Sequence, residues 1–166
     1  MTKLLQTVDS LLKWFLASLM AGIVLVVCWQ VVSRYVLNAP SSVTEELSRA
    51  LLIWIGMAGA AFAYRTGVHL GLDIITRKLP EKMQRKVSML LTAAVVLFAI
   101  AVMVVGGGNL VTMTYELGQM SAALNIKMAY IYMILPLSGV LIAFYGLCQL
   151  YFLASGKAVP AVEGMH

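Results

Sequence analysis

The 166 residues are 61% hydrophobic and 11% charged, with a mean hydropathy of +0.92 and a formal net charge of +5. Soluble domains carry about 25% charged and about 45–50% apolar residues, so a water-soluble enzyme, a nucleic-acid-binding domain and a disordered tail are excluded. The charged residues leave four uncharged runs, 14–33, 50–64, 87–115 and 128–156, and a span needs roughly 20 apolar residues to cross about 30 Å of hydrocarbon. The expected fold class is therefore an all-α integral membrane protein with four transmembrane helices and short amphipathic interfacial helices, forming a single membrane domain over residues 1–166.

In chain order, Leu4, Leu5, Val8, Leu11, Leu12 and Phe15 recur at helical spacing with Lys3, Asp9 and Lys13 between them. This is an amphipathic lead-in, expected near the interface. The run that follows is too long for a secretory h-region and has no small-x-small cleavage pattern after it, so the first span is expected over about 12–36. Trp14 and Tyr35 sit near its ends, where such rings favour the headgroup layer.

Asn38 to Ser42 is turn chemistry. Ser42-Val43-Thr44-Glu45 fits a capping box, which starts the second span near residue 43 and ends it near 65. Fifteen uncharged residues reach only about 22 Å, so Glu45, Glu46 and Arg49 must form its first turns. Arg65 then sits at the C-terminal end of a helix dipole, with Gly67 as the C-cap.

Val68, Leu72, Ile75 and Leu79 make one stripe, with His69, Asp73 and Arg77 on another face. Residues 68–79 are thus an interfacial helix too short to span, stopped by Pro80. The third span is expected over about 86–114, with Gly106-Gly107-Gly108 bending it or admitting a close neighbour. The fourth runs over about 128–153 with a kink at Pro136, and a small polar tail follows.

Counting cations by side gives the orientation. Lys3, Lys13, Arg65, Arg77, Lys78, Lys82, Arg85, Lys86 and Lys157 lie on one side, and only Arg34, Arg49 and Lys127 on the other. The expectation is that both termini are cytoplasmic.

The span centres hold no ionisable residue of the kind that self-contained ion-coupled carriers use. His69 and His166 lie outside the spans, so facing haem ligands are missing. Cys28 and Cys148 are isolated within apolar runs and read as buried small hydrophobes. No enzymatic activity, bound cofactor or metal is expected.

What remains is polar structure at the span ends. Gln30, Arg34 and Asn38 form a stripe across a short loop from Glu45, Glu46 and Arg49. Two readings stand: a salt-bridge network fixing the angle between the first two spans, or a contact to a partner. Trp54 lies deep for a residue that prefers interfaces, and its indole N–H requires an acceptor. Gly56, Gly59, Ala60 and Ala63 give the second span a small-residue face suited to close helix approach.

Glu45-Glu46-Leu47-Ser48-Arg49, Trp54, Gly59-Ala60, the run Ala63-Tyr64-Arg65-Thr66-Gly67-Val68-His69, Asp73 and Leu79-Pro80 together resemble the small membrane subunit of TRAP (tripartite ATP-independent periplasmic) transporters, the DctQ family. Ser33-Arg34-Tyr35 fits as well, as do Gly118, Ser121, Ala123-Leu124, Ile126, Tyr132, Pro136 and Gly139. The resemblance covers about residues 20–145. It implies a bacterial inner-membrane protein that scaffolds a large membrane subunit. That partner would carry the substrate and use a sodium ion gradient, while a periplasmic substrate-binding protein delivers an organic acid of the C4-dicarboxylate or sialic acid type. The alternative is an independent small carrier or homo-oligomer, which would need the mid-membrane polar site that the sequence lacks.

Overall fold

The computed structural model describes residues 2–39, 41–66 and 81–155. Between Lys3 and Tyr35 the sequence has no proline and one glycine, so nothing stops a helix once it starts. Accordingly the lead-in and the first span are one continuous helix, α1 (Thr2–Tyr35), about 51 Å long at 1.5 Å per residue. Leu5, Asp9 and Leu12 are buried along one stripe of its first half. The chain leaves α1 through a turn in which Asn38 takes a left-handed φ of 50° and the Ser33 hydroxyl donates to the Ala39 carbonyl.

Helix α2 (Ser42–Thr66) starts one residue earlier than the sequence suggests. Its cap is Ser41, whose Oγ accepts the Thr44 N–H at 3.5 Å. The Glu45 side chain does not fold back to complete a capping box. It reaches forward to Arg49, where an opposite charge at i,i+4 offers a stronger partner.

The third span is compound. Helix α3 (Glu81–Phe98) passes into an eight-residue π segment (Ala99–Gly106) and then α4 (Gly107–Glu116). The irregularity therefore lies mostly before the glycine triplet and ends at its first member, Gly106. Of the three glycines, Gly107 admits a close neighbour: a Cβ there would lie 3.2 Å from Leu135 Cβ and 3.2 Å from Pro136 Cδ.

The fourth span is broken into α5 (Met128–Tyr132) and α6 (Ile134–Ser155). The break falls at Met133, one turn before the kink expected at Pro136. Pro136 is thereby left in the first turn of α6, where a missing N–H has no intrahelical partner to lose.

Within the described residues, four helical stretches are long and apolar enough to span a bilayer: Lys3–Tyr35, Ser42–Thr66, Met83–Glu116 and Met128–Ser155. Among the described residues the only strand-like feature is an isolated bridge between Met120 and Lys127. Helix α6 is the centre of the packing. Gly139 rests on the π segment, where a Cβ would lie 2.6 Å from Met103 Cβ and 3.2 Å from the Ala99 carbonyl oxygen. Gly146 sits against Val96 and the Tyr64 hydroxyl. Cys148 of α6 is buried as expected, whereas Cys28 of α1 is exposed, because no other helix among the described residues covers that flank. The interfacial helix expected at 68–79, the Gly67 cap, the Pro80 stop and the tail from residue 156 lie outside the described residues.

Candidate functional site

Polar side chains gather at the two ends of the helical assembly and do different work there. At the end where α1 meets α2, the sequence suggests one network of Arg34, Glu45, Glu46 and Arg49. The structure divides it. Glu45 and Arg49 pair with each other at 2.5 Å on an exposed face, an arrangement that contributes little. Glu46 turns the other way. Its carboxylate accepts the backbone N–H groups of Ala122 (3.2 Å), Ala123 (2.6 Å) and Leu124 (3.0 Å) in the loop between α4 and α5.

That loop is shaped to present three successive donors. Gly118 and Asn125 take φ of 62° and 54°, and Ser121 N–H donates to the Ile126 carbonyl at 2.8 Å. The convergent N–H groups form an anion-holding nest, and the anion is a side chain from a helix some 76 residues earlier in the chain. Lys127 Nζ stands 3.6 Å over the Tyr115 ring and steadies the loop's return. Thus Glu46 ties α2 to the second half of the chain. The tie between α1 and α2 at this end is weaker: the Ser48 hydroxyl reaches Gln30 Oε1 at 3.5 Å.

Arg34 is exposed and forms no ion pair among the described residues. It lines a cavity of about 260 Å³ together with Gln30, Ser41, Ser42 and Glu45. Trp54, half-buried in α2, donates its indole N–H to the Ile131 carbonyl at 3.1 Å, so the acceptor that this N–H requires is in α5. Phe15 of α1 packs on its ring with centroids 6.1 Å apart. A Cβ placed on Gly56 or Gly59 would meet nothing within 4 Å. The buried face of α2 is instead Ala58, Ala61 and Tyr64, so among the described residues no other helix uses the small-residue face at its glycines.

At the opposite end the central feature is a buried ion pair. Arg65 Nε donates to Asp9 Oδ1 at 3.3 Å and to Oδ2 at 3.1 Å, and Nη2 lies 3.0 Å from Oδ2. Both side chains are 7% exposed, and the guanidinium carbon sits 5.8 Å from the Tyr145 ring centroid. Sequence reasoning placed Arg65 correctly at a helix end but missed its partner. The available signal was positional: Asp9 falls on the stripe of Leu5 and Leu12, the one lead-in charge on the core face. Nearby, Arg85 donates to the Leu153 carbonyl and, at 3.0 Å, to the Ala154 carbonyl, satisfying orphan acceptors at the end of α6. His69 and Asp73 lie outside the described residues.

The sequence of this four-span chain is matched by a known family. The family model for the DctQ component of tripartite ATP-independent periplasmic transporters matches residues 23–156. The chain belongs to that family. It is 30% identical over 138 residues to the sialic acid TRAP transporter small permease protein SiaQ of Vibrio cholerae, covering 80% of this chain and 75% of that one. It is 30% identical over 122 residues to the C4-dicarboxylate TRAP transporter small permease protein DctQ of Rhodobacter capsulatus, covering 74% of this chain and 53% of the relative. A third match, 30% identical over 81 residues, is to the sialic acid TRAP transporter permease protein SiaT of Haemophilus influenzae, and takes in 49% of this chain but 13% of that longer protein.

A DctQ-family small permease is a multi-pass membrane transport component and not an enzyme. Membership also implies a large membrane permease as partner.

Proposed function

We propose that this chain is the scaffold of a TRAP transporter in a bacterial inner membrane, holding a large, ion-coupled permease during secondary active uptake of an organic acid. Both termini and the Asp9–Arg65 end face the cytoplasm, and the Glu46 end faces the periplasm, in line with the cation count. A periplasmic binding protein delivers the substrate, and the large subunit consumes the sodium gradient. The substrate is of the sialic acid or C4-dicarboxylate type, as in the names of the relatives.

The observation that carries the reading is how the polar groups are used. Glu46 and Asp9–Arg65 are fasteners between helices, one at each end. Meanwhile no residue in the most apolar stretch of α1 is fully buried by the described residues, and one flank of it, with Val24, Leu25, Trp29 and Val32, is exposed. A body with locked ends and a free apolar flank suits holding a neighbour better than moving a solute.

Reconstitution tests this. In proteoliposomes with an inward sodium gradient, labelled substrate and the binding protein, uptake is expected only when this chain and the large permease are both present. Uptake by this chain alone would overturn the proposal.

A further inference from the structure

Two features of α1 lie on one line. The first is an exposed apolar stripe. Met20, Val24, Val27 and Val31 are all exposed and stand four, three and four residues apart, with Arg34 three residues further on. A repeat averaging about 3.5 residues is the spacing that keeps one seam turned toward a packed helix. This stripe carries no aromatic ring. The other exposed stripe of α1 holds Leu25 and Val32 together with Trp14 and Trp29, rings of the kind that favour the headgroup layers. The exposed flank of α1 is thus divided: its aromatic stripe suits lipid, and its smooth stripe suits a helix.

The second feature is the cavity into which the smooth stripe runs, walled by Gln30, Arg34, Ser41, Ser42 and Glu45. Glu45 is paired with Arg49 at 2.5 Å. Arg34 takes part in neither of the ion pairs among the described residues. Gln30 Oε1 accepts from Ser48 at 3.5 Å, which leaves its NH2 group as a donor, and the Ser42 hydroxyl is another. The cavity is therefore net cationic, lined with neutral donors, and takes an anion. Its volume of about 260 Å³ leaves room for a carboxylate side chain. Helix α1 runs unbroken from the stripe to Arg34, so one helix laid along the stripe reaches the cavity. Family membership supplies a polytopic neighbour, the large permease.

We propose that a transmembrane helix of the large permease packs along Met20, Val24, Val27 and Val31, and that a carboxylate near the matching end of that helix enters the cavity to meet Arg34, the Gln30 NH2 and the Ser42 hydroxyl. This rests on the scaffold reading and names the surface that the scaffold uses. The commitment to a permease carboxylate, in place of a free anion, rests on the seam: an anion alone needs the cavity but not an apolar stripe in register with it.

The full chain and its large permease, reconstituted together in phosphatidylcholine nanodiscs, test it in two arms. Benzoylphenylalanine placed at Val27 or Val31 is expected to photocross-link to the permease, whereas at Leu25 or Trp29 it should give only background. In the second arm the affinity between separately purified subunits is measured. Arg34→Gln should weaken it by about tenfold, the scale of one charge-assisted hydrogen bond. Lys86→Gln, which removes an exposed cation at the opposite end, should change nothing. The cross-linking arm leaves Arg34 intact, so it decides the proposal even where Arg34→Gln does not fold. Cross-links from Leu25 and Trp29 as strong as those from Val27 and Val31 would overturn the proposal and leave the scaffold reading standing. Absence of any complex would overturn both. An equal loss in Lys86→Gln would overturn the role of Arg34. A loss in Arg34→Gln that appears only once phosphatidylglycerol is added would assign the anion to a lipid and overturn the carboxylate.

Discussion

Helices α1 and α6 are both long and apolar, and their best spanning windows have similar mean hydropathies of 2.3 and 2.0. Their fates differ. Half of the α6 window is buried inside the chain and none of the α1 window is. In backbone approach α1 lies beside α2 and no other helix of the described residues, whereas α6 meets α2, α3, the π segment and α4. Hydropathy therefore says that a helix lives in lipid but not whether it faces lipid. What separates the two is the distribution of small residues. Helix α6 carries Ser138, Gly139, Ala143 and Gly146 on faces that meet other helices, and close approach is what holds helices together where lipid is as apolar as leucine. Helix α1 has Gly22, with open space around it, and is held mainly at its first half.

The largest expected effect comes from removing that hold. Asp9→Leu takes the carboxylate away from buried Arg65, and breaking one side of a buried pair costs about 3 kcal/mol or more. The double variant with Arg65→Met should recover much of the loss, because both charges of the pair are then gone. Unfolding by SDS in mixed micelles, followed by circular dichroism, measures both. An unchanged midpoint in Asp9→Leu would show that α1 is held by something else.

Next comes a paired test of the two helices themselves. Gly139→Ala places a methyl 2.6 Å from Met103 Cβ and 3.2 Å from a backbone oxygen, and such overpacking costs about 2 kcal/mol. Gly22→Ala meets nothing within 4 Å and removes a flexible residue from a helix interior, so it should be neutral or stabilising by up to about 1 kcal/mol. Equal destabilisation by the two would erase the distinction between a packed helix and a free one.

The sequence made the spans legible because lipid imposes a one-dimensional rule, and the uncharged runs obey it. Even the short second run, once extended through Glu45, Glu46 and Arg49, falls within α2 as observed. The partnerships were less legible. Asp9 and Arg65 are 56 residues apart, and only the side of the stripe on which Asp9 falls hints at the pair. The partner of Glu46 is a set of backbone N–H groups, which every residue but proline possesses, so no residue type in 122–124 announces it. The π segment, on which Gly139 of α6 rests, likewise has no signature in its residue types. Arg34, Glu45, Glu46 and Arg49 share one end as expected, but the geometry assigns them to three separate tasks.

Glu46→Gln sharpens that division with a smaller effect. Glutamine offers one neutral oxygen where the carboxylate offered two charged ones, and hydrogen bonds to charged groups contribute about 1.5–3 kcal/mol against about 1 for neutral ones. A net loss of about 1–2 kcal/mol is expected on that basis. Hydrogen exchange localises it: the amides of Ala122, Ala123 and Leu124 should exchange roughly tenfold faster or more, following from the same energies, while the α6 core keeps its protection. Protection unchanged at those three amides would remove Glu46 from its role as a fastener.

The smallest effect on the chain belongs to Arg49→Glu, and its smallness is what makes it informative. Arg49 is exposed and, among the described residues, bonded only to Glu45 of the preceding turn, so reversing it exchanges a surface attraction for a repulsion, about 0.5 kcal/mol or less at each step. The purified variant should therefore melt as the original does. If uptake by the reconstituted transporter nevertheless falls, stability cannot be the reason, and the lost step lies where this exposed end meets another protein. The affinity of the binding protein for its substrate, measured separately, should not move, because Arg49 is not part of that protein. Full uptake in Arg49→Glu would mean that the exposed pair at this end is structural decoration, and would leave Glu46, turned inward on the 122–124 backbone, as the functional acidic residue of the α2 start.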